Sequence, residues 1–116
     1  MQTLEPTGLK SIEWAAGLFE GEGTLYKRKN GRWHIRIKMT DLDVLENFLG
    51  VMDAGHLSGP YHPPSLKSHH KPFWHWETGR REDLLKVVEK LLPYLGHRRS
   101  QLARTCLQEY GTNLCY

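Results

Sequence analysis

The chain has 116 residues, enough for one domain, and a chain of this length buries roughly two thirds of the surface it exposes unfolded. Hydrophobic residues at 39% and charged residues at 25% exclude a disordered chain, and no run approaches the roughly 18 apolar residues of a membrane helix. Sixteen Lys and Arg against thirteen Asp and Glu leave a mild net charge of +3, and two cysteines, Cys106 and Cys115, are too few for a disulfide scaffold. Reduced thiols and the lack of a secretory signal pattern predict an intracellular protein: cytoplasmic, nucleoid-associated or organellar.

The first helix is expected from Ser11, an N-cap residue, with Glu13 in its first turn. From Trp14 to Phe19 it is apolar all round, which in so short a chain points to a partner subunit. Two strands follow, Thr24 to Lys29 and Arg32 to Thr40, joined by the hairpin turn Asn30-Gly31. A second helix begins after Thr40 and Asp43, spaced as a capping box, and carries Leu45, Phe48, Leu49 and Met52 on one face. A second hairpin runs from His56 to about Thr78 around the Pro-rich loop at residues 59–65. A third helix spans about Arg81 to Leu92 and ends at Pro93; a fourth spans about Arg98 to Tyr110. The order αββαββα(α) predicts an α+β fold: a four-stranded antiparallel sheet with the helices on one face. One domain is expected over 1–116, with its core at about 9–110.

The second strand alternates without a break. Trp33, Ile35, Ile37 and Met39 point one way; Arg32, His34, Arg36, Lys38 and Thr40 point the other. Thr24, Tyr26 and Arg28 of the first strand share the polar face. A solvated face normally mixes both signs of charge, and this one carries cations only, so it is suited to guanine edges and phosphates of nucleic acid. A simple solvated strand face is the alternative. In the second hairpin, Trp74 and Trp76 share a core face and His75 and Glu77 face the same partner, with His56 and Ser58 beside them. Lys67, Lys71, Arg80, Arg81 and Arg99 are further candidate phosphate contacts. His62, His69, His70 and His75 match no zinc-finger spacing.

The sharpest feature is the run Trp14-Ala15-Ala16-Gly17-Leu18-Phe19-Glu20-Gly21-Glu22-Gly23, an apolar helix ending in two acids interleaved with glycines. Gly17 and Gly21 lie four apart, a spacing that permits close helix–helix approach. Acids at the end of a buried helix pair are costly unless they bind a cation, and two such carboxylates suit Mg²⁺. Solvated acids beside a glycine C-cap remain the other reading of this pattern.

Residues Ala15 to Gly23 resemble the nine-residue signature of the LAGLIDADG homing endonucleases. Gly17, Leu18 and Gly23 match it outright, Glu20 and Glu22 stand at its acids and Gly21 at a small residue. Ala15 departs from its leading Leu, and both acids are Glu where the signature has Asp. The element order matches that family's repeat, and Pro93-Tyr94-Leu95 before a basic helix resembles its C-terminal turn, so the resemblance covers about residues 9 to 110. It implies that the sheet is a DNA-binding saddle and that two copies pair through Trp14, Ala16, Gly17, Glu20 and Gly21. It implies Glu22 as the catalytic acid, with Glu22 and the Gly21 carbonyl as ligands of Mg²⁺ or Mn²⁺, and Glu20 in a more structural role. Asp41 falls where the family positions the attacking water, and a helix cap is its other reading. Arg98 stands where the family keeps a Lys. Arg offsets phosphate charge but exchanges no proton near neutral pH.

The expectation is therefore a site-specific endonuclease that hydrolyses double-stranded DNA as a homodimer on a nearly palindromic site. Thr24, Tyr26, Arg28, Arg32, His34, Arg36, Lys38, His75, Glu77 and Arg99 are its DNA contacts. Neither a membrane nor an organic cofactor is expected. The rivals are a non-cleaving DNA- or RNA-binding protein on the same scaffold (a regulator or maturase), a protein-binding α+β domain, and one half of a two-motif monomer.

Overall fold

In the computed structural model, residues 10–63 and 71–111 are described. Lys67, His69, His70, Cys115 and residues 64–65 of the Pro-rich loop lie outside them. The element order is α1 (Ile12–Glu22), β1 (Gly23–Lys27), β2 (Trp33–Met39), α2 (Leu42–Met52), β3 (His56–Tyr61), β4 (Phe73–Thr78), α3 (Arg81–Leu91), a 3₁₀ turn (Leu92–Tyr94) and α4 (His97–Gly111). This is the expected four-stranded antiparallel sheet, and its strand order is β1-β2-β4-β3. The two hairpins lie side by side, with β2 and β4 in the middle.

The alternation of β2 decides which face is buried. Trp33, Ile35 and Ile37 are almost fully enclosed, together with Phe19 of α1, Leu45 and Phe48 of α2, Trp76 of β4 and Leu84, Val87 and Leu91 of α3. Phe48 meets Trp76 edge-on with ring centroids 4.6 Å apart, and the Trp76 indole N–H donates to the Ala54 carbonyl at 3.0 Å. A buried indole needs such a partner, and this one ties β4 to the end of α2. Burial of Cys106 in α4 pushes its thiol up to about 12, so it is a core residue and no nucleophile. Among the described residues no helix is long and apolar enough to cross a membrane.

Local signals act where the sequence places them, with two shifts. Ser11 caps α1 by accepting the Trp14 N–H at 3.0 Å. Gly31 takes φ +87° in the β1–β2 turn, a conformation an L side chain rarely adopts, and the Arg32 N–H donates to the Asn30 side chain at 3.0 Å. The Thr40–Asp43 capping box does not form: α2 starts one residue later, with Asp41 at the cap position and no side-chain capping bond. Nor is α1 buried on every side. Ala15, Ala16 and Phe19 enter the core, Trp14 and Leu18 are half-buried, and Gly17 and Gly21 are exposed.

Candidate nucleic-acid interface

The open face of the sheet is assembled by strand register. Thr24 stands opposite Arg36, Tyr26 opposite His34, Arg36 opposite Glu77, and Lys38 opposite His75. On the far side His56 pairs with Glu77 and Ser58 with His75. The sequence-predicted residues of all four strands thus share one surface. Arg36 leans on the Tyr26 ring at 5.9 Å and Lys38 sits 4.3 Å over the Phe73 ring. Neither cation forms an ion pair with a carboxylate among the described residues, and the same holds for Arg28 and Arg32.

Two members of that surface are spent inside the protein. His34 is only 7% exposed. Its Nδ1 lies 3.3 Å from an Arg28 guanidinium nitrogen, which can only donate, so Nδ1 is the accepting nitrogen and Nε2 carries the proton. Nε2 donates to Glu77 Oε1 at 2.9 Å, and the Ser58 hydroxyl donates to Glu77 Oε2 at 3.0 Å. Burial alone would raise the Glu77 carboxyl; the hydrogen bonds from His34 and Ser58 outweigh it and hold the group below its ordinary value. Burial, with Arg36 adding to it, lowers His75. His34 and Glu77, expected as direct DNA contacts, are thus bonded to one another and brace the face, and Glu77 keeps a negative charge that these hydrogen bonds stabilise.

A hollow of about 350 Å³ opens at one end of the sheet, lined by Glu22, Lys38, Met39, Thr40 and Phe73. Glu22 is the exposed last residue of α1 and has neither hydrogen bond nor ion pair among the described residues. It can hang at this rim because α1 runs directly into β1 at Gly23. A side chain there would collide with the Phe19 ring, so only glycine lets the helix end so abruptly. Asp41, the residue after Thr40 of that lining, is exposed, and Arg98 is exposed at the start of α4. At the opposite end a second hollow, about 300 Å³, is lined by Arg28, Arg32, Trp33, His34, Gly79 and Arg80. Arg80 is partly offset there by Glu82 at 3.2 Å.

Glu20 and Arg99 are placed differently from Glu22. One Glu20 oxygen accepts the backbone N–H of Gly96, the residue before α4, and the other lies 3.3 Å from the Arg99 guanidinium. A carboxylate at a helix N-terminus is favoured by the helix dipole. Arg99 also donates to the Gly23 carbonyl at 3.1 Å. The first acid of the motif thus ties the end of α1 to the start of α4. Arg99, expected on DNA phosphate, is half-buried in that tie. Ala16, expected at a partner interface, is 2% exposed and packs in the chain's own core, and Glu20, expected there too, is half-buried against the start of α4. Gly17 and Gly21 remain on the outer side of α1 with nothing within 4 Å of where a Cβ would stand, and Trp14 is half-buried beside the core.

Sequence reasoning missed Tyr61 and Phe73 on the open face. Phe73 was within reach: it lies two residues before His75 and must share its face.

No protein-family profile and no curated protein matches the chain. Solved structures do. The homing endonuclease I-CvuI bound to its target in the presence of Ca superposes with a TM-score of 0.64 at 17% identity, over 86% of this chain. The homing endonuclease I-TnaI gives 0.64 at 19% identity over 88% of this chain and 72% of its own. The LAGLIDADG homing endonuclease I-GzeII in complex with its DNA target gives 0.64 at 14% identity over 89% of this chain. The chain has the LAGLIDADG homing-endonuclease fold. It spans 65% of the I-CvuI chain and 37% of the I-GzeII chain. At such identities the likeness carries the LAGLIDADG architecture, and the chemistry rests on this chain's own residues. Among the described residues no three His, Cys, Asp or Glu side chains cluster as metal ligands.

Proposed function

We propose that the protein is a divalent-metal-dependent endonuclease that acts as a homodimer on a nearly palindromic double-stranded DNA site. The observation that carries this is the pairing of a cationic sheet face, whose carboxylate Glu77 is hydrogen-bonded internally, with a carboxylate, Glu22, that has no partner among the described residues and stands at the rim of that face. A cationic face favours the DNA backbone. A bare carboxylate beside it opposes binding unless a cation intervenes.

The donor set fits a hard cation. Glu22 and the Gly21 carbonyl are oxygen donors at an exposed helix end, and Mg²⁺ is typically held by one or two carboxylates with water and substrate phosphate completing its shell. Mg²⁺ or Mn²⁺, when bound, supplies Lewis-acid stabilisation of the charge on the phosphate. Hydrolysis adds water to phosphorus and breaks the P–O3′ bond, leaving a 3′-hydroxyl and a 5′-phosphate. Glu22 would hold that cation, and the Asp41 carboxylate, which caps nothing, would orient the attacking water. Arg98 offsets phosphate charge without exchanging a proton. Arg32, Arg36 and Lys38 position the duplex, with Thr24, Tyr26, Arg28 and His75 around them. A second copy packs against the open Gly17/Gly21 strip and brings a second Glu22, as a double-strand cut requires.

The test is a cleavage selection against a randomised palindromic library with Mg²⁺, run on the parent and on Glu22→Gln. The parent yields a cut site, and Glu22→Gln loses cutting while its Kd for that site stays within about tenfold, or roughly 1.4 kcal/mol. A parent that binds a site without cutting it, or a Glu22→Gln protein that nicks at the parent rate, refutes the assignment.

A further inference from the structure

We propose that the aromatic cluster of Tyr61, Phe73 and His75 is a thymine-methyl reader that fixes the identity of the base pairs nearest the Glu22 hollow. This rests on the nuclease reading above and names a chemistry of recognition distinct from that of the arginine rows.

The cluster is built by register. Phe73 and His75 alternate along β4 onto the open face. Between Ser58 and Tyr61 the pairing shifts by one residue, which brings Tyr61 opposite Phe73. The three rings then meet pairwise, with centroids 5.5 Å apart for Tyr61–Phe73, 4.9 Å for Tyr61–His75 and 5.5 Å for Phe73–His75. Tyr61 remains 39% exposed.

The surroundings decide the ligand. Lys38 sits on the Phe73 ring, and Phe73, Lys38 and Glu22 line one hollow. An apolar surface flanked by a cation and placed in a cationic sheet complements a groove edge that offers an apolar group beside phosphates. The thymine C5-methyl is the apolar group of the major-groove edge, and guanine presents only acceptors there. Phe73, at the rim of the hollow, has no donor for guanine and no acceptor for cytosine. Because Phe73 lines the hollow with Glu22, the base pairs it reads are those next to the reacting phosphate.

The experiment uses the site recovered from the library selection. Each thymine is replaced singly by deoxyuridine, which removes the methyl and nothing else, and Kd is measured at fixed salt. The expected loss is about fourfold, the equivalent of ~0.8 kcal/mol for one buried carbon group, at thymines in the inner part of each half-site. Tyr61→Ser and Phe73→Ser bring that loss below about twofold, whereas Tyr61→Phe keeps it, since the ring and not the hydroxyl makes the contact. Thermal melting monitors folding, and Tyr61→Ser, at an exposed position, carries the test if Phe73→Ser does not fold. A parent that selects a site yet ignores the methyl at every inner thymine, or selects a site with no inner thymine, overturns the reader and leaves the nuclease reading intact. A parent with no sequence preference overturns both.

Discussion

The two hairpins share one sheet and face the same way, yet they handle their polar groups in opposite fashion. On the first, Arg28, Arg32, Arg36 and Lys38 have no carboxylate partner among the described residues; their contacts are an imidazole nitrogen and aromatic rings. On the second, the carboxylate of Glu77 is met by His34 and Ser58, and the remaining surface is three packed rings. Uncompensated cations on a surface store attraction for a polyanion. Satisfied polar groups and rings store none, but they hold a shape. Under the proposed function the first hairpin supplies affinity and the second position and selectivity, and the hydrogen-bond bridge from Arg28 through His34 to Glu77 links the two.

The largest expected effect breaks the first half of the comparison. Replacing Arg32, Arg36 and Lys38 together by Gln should weaken binding to the selected site by roughly 100-fold or more and reduce the salt slope by about three units, one for each lost cation. His75→Gln in the second hairpin should leave the slope where it was. Titrations at several salt concentrations decide it. An equal fall in slope for His75→Gln, or no fall for the triple variant, would erase the division of labour.

A smaller effect addresses the bridge. Glu77→Ala removes the acceptor of both the His34 N–H and the Ser58 hydroxyl, and leaving such a buried donor unmet costs about 1–3 kcal/mol of folding stability. Urea unfolding reads that loss. The salt slope of DNA binding should stay where it was, because the slope counts cations placed on phosphates and Glu77→Ala removes none. A variant of parental stability whose DNA affinity rises steeply would mean that Glu77 is a free surface charge and no brace.

The same contrast explains what could be read from the sequence. The first hairpin was legible residue by residue, since Asn30-Gly31 fixes a two-residue turn and unbroken alternation from Trp33 to Met39 fixes the face. The second was legible only from its β4 side. Gly59 takes φ +125° and the register slips between Ser58 and Tyr61, so parity counted from Ser58 assigns Tyr61 to the wrong face. The motif acids show a similar split. The placement of Glu22 follows from a helix ending at a glycine. That Glu20 and Arg99 bind each other could not be foreseen, because the tie spans 79 residues and depends on how α4 returns to α1. His34 reads as one more polar residue on a polar face, and its burial under Arg28 and Glu77 emerges only once β4 pairs with β2.

The smallest effect is a pH dependence confined to the second hairpin. His75 lies below its ordinary value of 6.5, chiefly through burial, and Glu77 lies below 4.5 because its hydrogen bonds outweigh burial. Both signs run the same way. Below about pH 6.5 the unfolded chain binds a proton at His75 more readily than the folded one, so stability begins to fall with acid. Below about pH 4.5 the unfolded chain also protonates Glu77 first, and the stability that the paired carboxylate contributes is lost as pH drops through its lower folded value. Urea midpoints should therefore decline in two stages, one beginning near pH 6.5 and one beginning near pH 4.5 and continuing below it. His75→Gln should flatten the upper stage, and Glu77→Gln should flatten the lower while deepening the upper, because it also removes the carboxylate 3.8 Å away that raises His75. Because both groups belong to the second hairpin, changing Arg36 or Lys38 to Gln should alter the upper stage only through His75, whose value Arg36 and Lys38 both depress. Removing Arg36 then raises the folded value of His75 toward 6.5 and makes the protein less sensitive to mild acid. A steeper acid decline in Arg36→Gln would show that the coupling between the hairpins has the opposite sign.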